Sequence, residues 1–187
     1  MEREEILNYL LEGSKIRNSL EIEKIHHLGE SISGTFKDGN KIILFGNGGS
    51  AADAQHIAAE FVGRFEKERK PLPAMILHGN SSSLTAIGND YSFDDVYARQ
   101  IRAFARENDL IIALSTSGNS ENVVRGIKAA QEIGCNIFGI TGKKGGKFNE
   151  LIEESNLIKI PSERTSFIQE STIAIGHIVS KMVEDDI

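Results

Sequence analysis

Residues 41–60, KIILFGNGGSAADAQHIAAE, constrain the fold more than any other stretch of the chain. An apolar strand candidate, Lys41 to Phe45, runs into the glycine-rich turn Gly46-Asn47-Gly48-Gly49-Ser50 and then into a helix. Strand, tight turn and helix in succession are the opening of a parallel βαβ unit. The helix carries His56 and Glu60 four residues apart, so both side chains share one face and reach the same small volume. An anion held at the turn would lie one to two helical turns from this histidine–carboxylate pair. That pairing points to chemistry on a phosphorylated small molecule.

The rest of the chain repeats the alternation. Strand candidates are Lys41 to Phe45, Ala74 to Leu77, Leu110 to Leu114, Asn136 to Ile140 and Leu157 to Ile160. Their apolar runs scarcely alternate, as expected of strands covered on both faces. Helices are expected near Ser50–Phe65, Asp94–Ala105, Glu121–Ile133, Lys147–Glu153 and Ser166–Glu184, with one or two amphipathic helices over Arg3–Phe36. The segment SSSLTAIGND, Ser81 to Asp90, reads as a polar loop. The pattern predicts one doubly wound α/β domain with a parallel sheet and an N-terminal helical extension, its ligand site at the carboxyl ends of the strands.

Composition narrows the function classes. With 187 residues the chain suits a single domain. A net charge of −6 argues against a nucleic-acid surface, which needs a basic stripe. The short basic clusters, Lys67-Arg69-Lys70 and Lys143-Lys144-Lys147, read as solvated loop charge. A lone cysteine, Cys135, excludes an intrachain disulfide and a cysteine-built metal site and reads as a buried, inert thiol. The start, MEREEILNYL, lacks the apolar core of a signal peptide, and no apolar run reaches membrane-spanning length, so a cytoplasmic protein with no membrane partner is expected.

A second loop, Ser115-Thr116-Ser117-Gly118-Asn119-Ser120, follows the third strand and leads into a helix. Glycines let backbone N–H groups approach an anion, hydroxyls add hydrogen bonds, and the helix start adds unpaired donors. Neither loop ends in the Gly-Lys-Ser/Thr of a P-loop, and the first does not fit G-x-G-x-x-G. Ser50 with Asp53, and Ser120 alone, are also plain helix-cap signals. Four hydroxyls within six positions nevertheless exceed what capping requires, which favours phosphate at Ser115–Ser120. On the last helix, Gln169 and His177 fall with Ile173 on one stripe and need partners if buried.

Taken together, GNGGSAADAQHIAAEFVGRF, LTAIGNDYSFDDVYARQ, STSGNS, ITGKKGGKFNE and IQE followed by GHIV resemble the phosphoheptose isomerases, or sedoheptulose-7-phosphate isomerases, of the sugar-isomerase (SIS) superfamily. The resemblance runs from about Phe36 to Glu184. It implies a three-layer, flavodoxin-like fold with a five-stranded parallel sheet in a single SIS domain over 1–187. Residues 1–36 would serve oligomerisation and 37–187 form the core of a homotetramer. It implies one zinc per subunit on His56, Glu60, Gln169 and His177, with Glu60 and His177 as the acid/base pair. Substrate contacts would fall on Asn47, Gly48, Gly49, Ser50, Asn89, Asp90, Ser115, Thr116, Ser117, Ser120 and Gln169. An amide is an unusual zinc ligand, so Gln169 serves the substrate as well as, or instead of, the metal. Ser166, Phe167 and Thr172 depart from the residues common in the family.

The implied reaction is the conversion of sedoheptulose 7-phosphate to D-glycero-D-manno-heptose 7-phosphate through an enediol, the first step of ADP- or GDP-heptose formation, for lipopolysaccharide among other products. Gln169 and His177 lie roughly 12 Å apart along an ideal helix, which suggests a site combining residues from more than one subunit. The rivals are a non-catalytic SIS regulator of the replication-initiator-associating type, which lacks the acid/base pair this chain keeps, and an isomerase of another sugar phosphate.

Overall fold

Consecutive residues of the central strands point to opposite faces and both faces are apolar, so helices must cover the sheet on each side. In the computed structural model, which describes residues 2–187, five parallel strands do this: β1 (Ile42–Gly46), β2 (Ala74–Ile76), β3 (Leu110–Ser115), β4 (Asn136–Gly142) and β5 (Leu157–Ile160). Their order is β2-β1-β3-β4-β5. Two helices precede the sheet, α1 (Arg3–Asn18) and α2 (Ile22–Lys37). The others are α3 (Gly49–Val62), α4 (Ser81–Asp90), α5 (Val96–Phe104), α6 (Glu121–Ile133), the single turn α7 (Phe148–Leu151) and α8 (Thr165–Asp186).

The pleat divides the core in two. Ile42, Leu44, Leu110, Ile112, Ile158 and Ile160 face a layer of α2, α3 and α8, which supply Leu28, Ile32, Ile57, Phe61, Ile175 and Val179. Ile43, Phe45, Ile111, Ala113 and Leu157 face α5, α6 and α7, which supply Tyr97, Ile101, Val123, Ile127 and Phe148. The two N-terminal helices therefore differ. α2 buries Ile25, Leu28 and Ile32 in the first layer, whereas Gly13 is the buried residue of α1. Ile6, Leu7, Leu10 and Leu11 of α1 are 47–60% exposed.

One expected loop is a helix. Ser81–Asp90 forms α4, with the Asn80 side chain accepting from the Ser83 N–H at 3.1 Å as its cap. Leu84 and Ile87 pack one face of it on the core, too few apolar positions to raise a helical period in so polar a run. The glycine turn also differs: α3 begins at Gly49, so Ser50 lies inside the helix and caps nothing.

Candidate active site

β1 and β3 are neighbours at the point where the connections change direction, so the loops after them flank the crevice of an open α/β sheet. Three helices start around that crevice, and none has its N-terminus closed by a side chain from its cap residue. α3 starts after Gly48, α6 after Ser120 and α8 after Arg164. Uncapped helix starts present N–H groups and a partial positive charge. They converge on a cavity of about 230 Å³ lined by Asn47, Gly48, Ser50, Leu114, Ser115, Thr116, Ser120, Thr165 and Gln169. Its walls are hydroxyls, amides and helix starts, which is the chemistry of a phosphate cradle.

The serine loop is shaped by its own backbone. Gly118 has φ 65°, and a Cβ there would lie 2.0 Å from the Gly145 carbonyl oxygen, so glycine is required. The Gly118 N–H donates to Ser115 Oγ at 3.2 Å, and the Ser115 and Ser120 hydroxyls meet at 3.3 Å. Asn47 is held by side chains instead. It exchanges a pair of hydrogen bonds with the buried amide of Asn122, at 2.8 and 2.9 Å. Tyr97 donates to the Gly46 carbonyl and to Asn47 Oδ1, and burial raises its hydroxyl pKa to about 12, which keeps it a donor.

Gln169 closes the cavity from α8. A Cβ on Gly49 would lie 2.1 Å from its Nε2, so the missing side chain at Gly49 is what admits it. Further along, a Cβ on Gly176 would lie 2.4 Å from Ile57 Cγ1, and this close approach of α3 and α8 sets the next residue, His177, against His56. His177 Nε2 is 3.3 Å from His56 Nε2, which is 3.0 Å from Glu60 Oε1. One ligand atom from each of His56, Glu60 and His177 lies within 4.8 Å of the others. Ligands on a tetrahedral zinc with arms of about 2.0–2.1 Å stand roughly 3.3 Å apart, so the trio has the spacing and the nitrogen and oxygen donors of a zinc site.

The single chain thus brings three of the four expected metal groups together and leaves the fourth, Gln169, apart from them, as its spacing from His177 along one helix requires. Gln169 lies two turns away along α8 and lines the cavity. Asn89 and Asp90 do not line it; they are exposed at the end of α4, where Asn89 donates to Asp90 at 2.8 Å. Ser117 lines an adjoining cavity with Lys143, Lys144 and Ser162.

Several neighbours carried little signal in the sequence. Phe65 stacks on His177 with ring centroids 5.7 Å apart. Arg69 does not behave as solvated loop charge: its guanidinium donates to the Glu60 carbonyl at 2.5 Å and the Phe61 carbonyl at 2.9 Å, closing the end of α3. Glu184, beside Arg69 at 3.8 Å, accepts from the Phe65 and Glu66 N–H groups and so fixes the segment that carries Phe65. Lys144 and Lys147 fit the surface reading, paired with Glu163 and Glu121. Asp53, one turn before His56, has an Oδ2 with no partner among the described residues; burial pushes its carboxyl up to about 6, against the opposing pull of His56. Cys135 is half-buried, and burial raises its thiol to about 11, consistent with an inert side chain.

These features define a doubly wound α/β protein that receives an anionic small molecule beside a histidine–carboxylate cluster. Residues 8–142 match the model of the SIS domain family. A probable phosphoheptose isomerase of Thermoplasma acidophilum is 49% identical over 177 residues, covering 95% of this chain and 96% of that protein. The phosphoheptose isomerase of Aquifex aeolicus is 51% identical over 154 residues, 82% of this chain and 80% of that one. The structure of phosphoheptose isomerase GmhA from Neisseria gonorrhoeae superposes with a TM-score of 0.91 at 36% identity, covering 98% of both chains. The chain belongs to the SIS domain family and, within it, to the phosphoheptose isomerases.

Proposed function

We infer that this protein is an aldose–ketose isomerase that converts sedoheptulose 7-phosphate to D-glycero-D-manno-heptose 7-phosphate, the entry reaction of nucleotide-activated heptose synthesis. The observation that carries this reading is the convergence of three uncapped helix starts on one cavity, with His56, Glu60 and His177 further along two of those helices. His56 lies six positions after Ser50 on α3, roughly 9 Å of helix rise. That span is comparable with an extended seven-carbon chain between its phosphate and its carbonyl end.

In this reading the phosphate lies against Ser115, Thr116 and Ser120, and the reacting end faces the cluster. Glu60 and His177 share the proton transfers: one removes a proton from C1 while the C2 carbonyl oxygen is protonated to form the enediol, and then the C1 hydroxyl gives up its proton as one is returned to C2, which leaves an aldehyde at C1. Atoms balance, with no oxidant consumed. Zinc, one per subunit on His56, Glu60 and His177, would polarise the substrate oxygens when bound. Gln169 reaches the substrate hydroxyls from its seat above Gly49. His56, and zinc when bound, lie on the Oε1 side of Glu60, which leaves the second carboxylate oxygen to take the proton.

Assembly as a homotetramer fits the exposed Ile6, Leu7, Leu10 and Leu11 on α1, an apolar strip that a second copy would cover. Neighbouring subunits would also give Asn89 and Asp90 a way to reach a site. Among the described residues no helix is long and apolar enough to cross a membrane. A single thiol suits the cytoplasm, where such intermediates are handled.

The test is incubation of the purified, zinc-supplied protein with sedoheptulose 7-phosphate, followed by NMR. Appearance of the aldose heptose 7-phosphate supports the reading. Phosphate-sugar binding without any aldose would favour a regulator, and turnover of a pentose or hexose phosphate in preference would move the substrate assignment.

A further inference from the structure

The first turn of α8 carries two opposite sets of contacts. At about 100° per residue, Thr165 and Gln169 share one side of the helix, and Phe167 and Glu170 the other. Thr165 and Gln169 line the cavity. Phe167 and Glu170 meet α1: Tyr9 donates its hydroxyl to Glu170 Oε1 at 2.7 Å, and Arg17 Nη1 lies 3.2 Å from Oε2. Tyr9 also packs on the fully buried Phe167 ring, with centroids 4.6 Å apart. Arg164 lies over that ring at 4.4 Å and pairs with Glu12 at 3.0 Å.

Two details show that this contact is built for closeness. A Cβ on Gly13 would lie 3.0 Å from Glu170 Oε2 and 3.4 Å from the Phe167 ring, so a side chain there would press on the Glu170 carboxylate and shift it by a few tenths of an ångström. In addition, the start of α8 has no side-chain cap of its own. Ile168 anchors the turn in the core, and α1 on one side and the Gly49 seat on the other add to that anchor. This also explains Phe167, which stands in the contact with α1 rather than in the cavity.

We propose that Glu170, gripped by Tyr9 and Arg17, is a positioning residue for substrate binding: the grip of α1 sets the first turn of α8 and thereby Gln169 and Thr165 in the cavity. The role is indirect, since Glu170 meets α1 and does not line the cavity, and it rests on the isomerase reading only for its kinetic arm. The consequence is that substrate affinity depends on how firmly α1 is seated, a helix whose outer face is exposed apolar surface.

Tyr9→Phe removes one hydrogen bond and keeps the ring; Glu170→Gln removes the charge and keeps the shape. Each is compared with wild type in calorimetric binding of inorganic phosphate, in KM and kcat for sedoheptulose 7-phosphate, and in melting temperature. Both variants should raise the phosphate Kd and the KM about three- to tenfold, with kcat within about twofold. In a Thr165→Val background, Tyr9→Phe should change the phosphate Kd less than twofold, because the hydroxyl that the grip positions in the phosphate cavity is already gone. A lowered melting temperature with unchanged Kd and KM would overturn the proposal, as would an equal Tyr9→Phe effect in both backgrounds. Should Glu170→Gln fail to fold, the Tyr9→Phe cycle decides. If wild type binds phosphate but forms no aldose, the isomerase reading fails while the phosphate arm still judges Glu170; wild type that binds no phosphate contradicts both.

Discussion

α3 and α8 run side by side through the site, and their two ends are built from different materials. At their starts, Gly48, Ser50, Thr165 and Gln169 offer backbone donors, hydroxyls and an amide around a cavity. Two turns on, His56, Glu60 and His177 offer titratable side chains within 4.8 Å of one another. The first end is suited to holding a fixed charge and the second to moving protons. The close approaches at Gly49 and Gly176 keep the two ends in register on one pair of helices. Binding and chemistry should therefore separate cleanly under mutation.

The largest effect should come from the proton-moving end. Glu60→Gln keeps the size of the side chain and removes its basicity, so kcat should fall by about 10³-fold or more while inorganic phosphate still binds. A variant with near-wild-type turnover would break the division. Next comes Gly49→Ala, whose methyl would occupy the place of Gln169 Nε2, 2.1 Å away. Displacing Gln169 should raise KM about tenfold and affect kcat less, which steady-state kinetics reads directly. Ser120→Ala removes one hydroxyl from the cradle without touching a cap hydrogen bond, so a rise in KM of about fivefold with an unchanged melting temperature is expected. Loss of fold stability instead would mean that Ser120 is structural.

The smallest effect concerns the far end of α8. Burial pushes the Glu184 carboxyl up, but the N–H groups of Glu66, Lys67 and Phe65 together with Arg69 outweigh it and hold the pKa below the usual range. Asp185 is lowered by Lys67 and Lys181, and Asp186 by Lys37. A carboxylate depressed in the folded state stabilises it above the unfolded pKa and loses that contribution as pH falls. The melting temperature should therefore hold near neutrality and decline below about pH 4.5, less steeply in Glu184→Gln. A melting temperature that rose on acidification would contradict this assignment.

How much of this was legible in the sequence follows from where each signal lay. The strand runs were plain because both faces of each central strand are apolar, and Leu157–Ile160 agrees residue for residue. α8 was plain because its apolar stripe is long. α4 was hidden because its contact with the core rests on Leu84 and Ile87 within a serine-rich run. The two loops and the pairing of His56 with Glu60 could be read from local chemistry. His177 as their partner could not, since the contact depends on how closely α8 lies on α3, and a glycine at 176 is a faint mark of that. The spacing of Gln169 and His177 pointed toward a shared site between subunits; within one chain Gln169 lies at the cavity and His177 beside His56 and Glu60, so the two do not meet. Arg69 looked like loop charge because nothing in its neighbourhood shows that the end of α3 folds back onto it. Asn122 and Tyr97, which lock Asn47, lie 75 and 50 residues from it in sequence, and nothing local to either marks that contact.

The most direct test of the central claim is the reaction run in D2O with sedoheptulose 7-phosphate and read by NMR, using wild type and Glu60→Gln. Wild type should yield the aldose heptose 7-phosphate with solvent deuterium at C2, and Glu60→Gln should yield none while still binding phosphate. Absence of the aldose from wild type, or an aldose whose C2 hydrogen comes wholly from C1, would contradict the account.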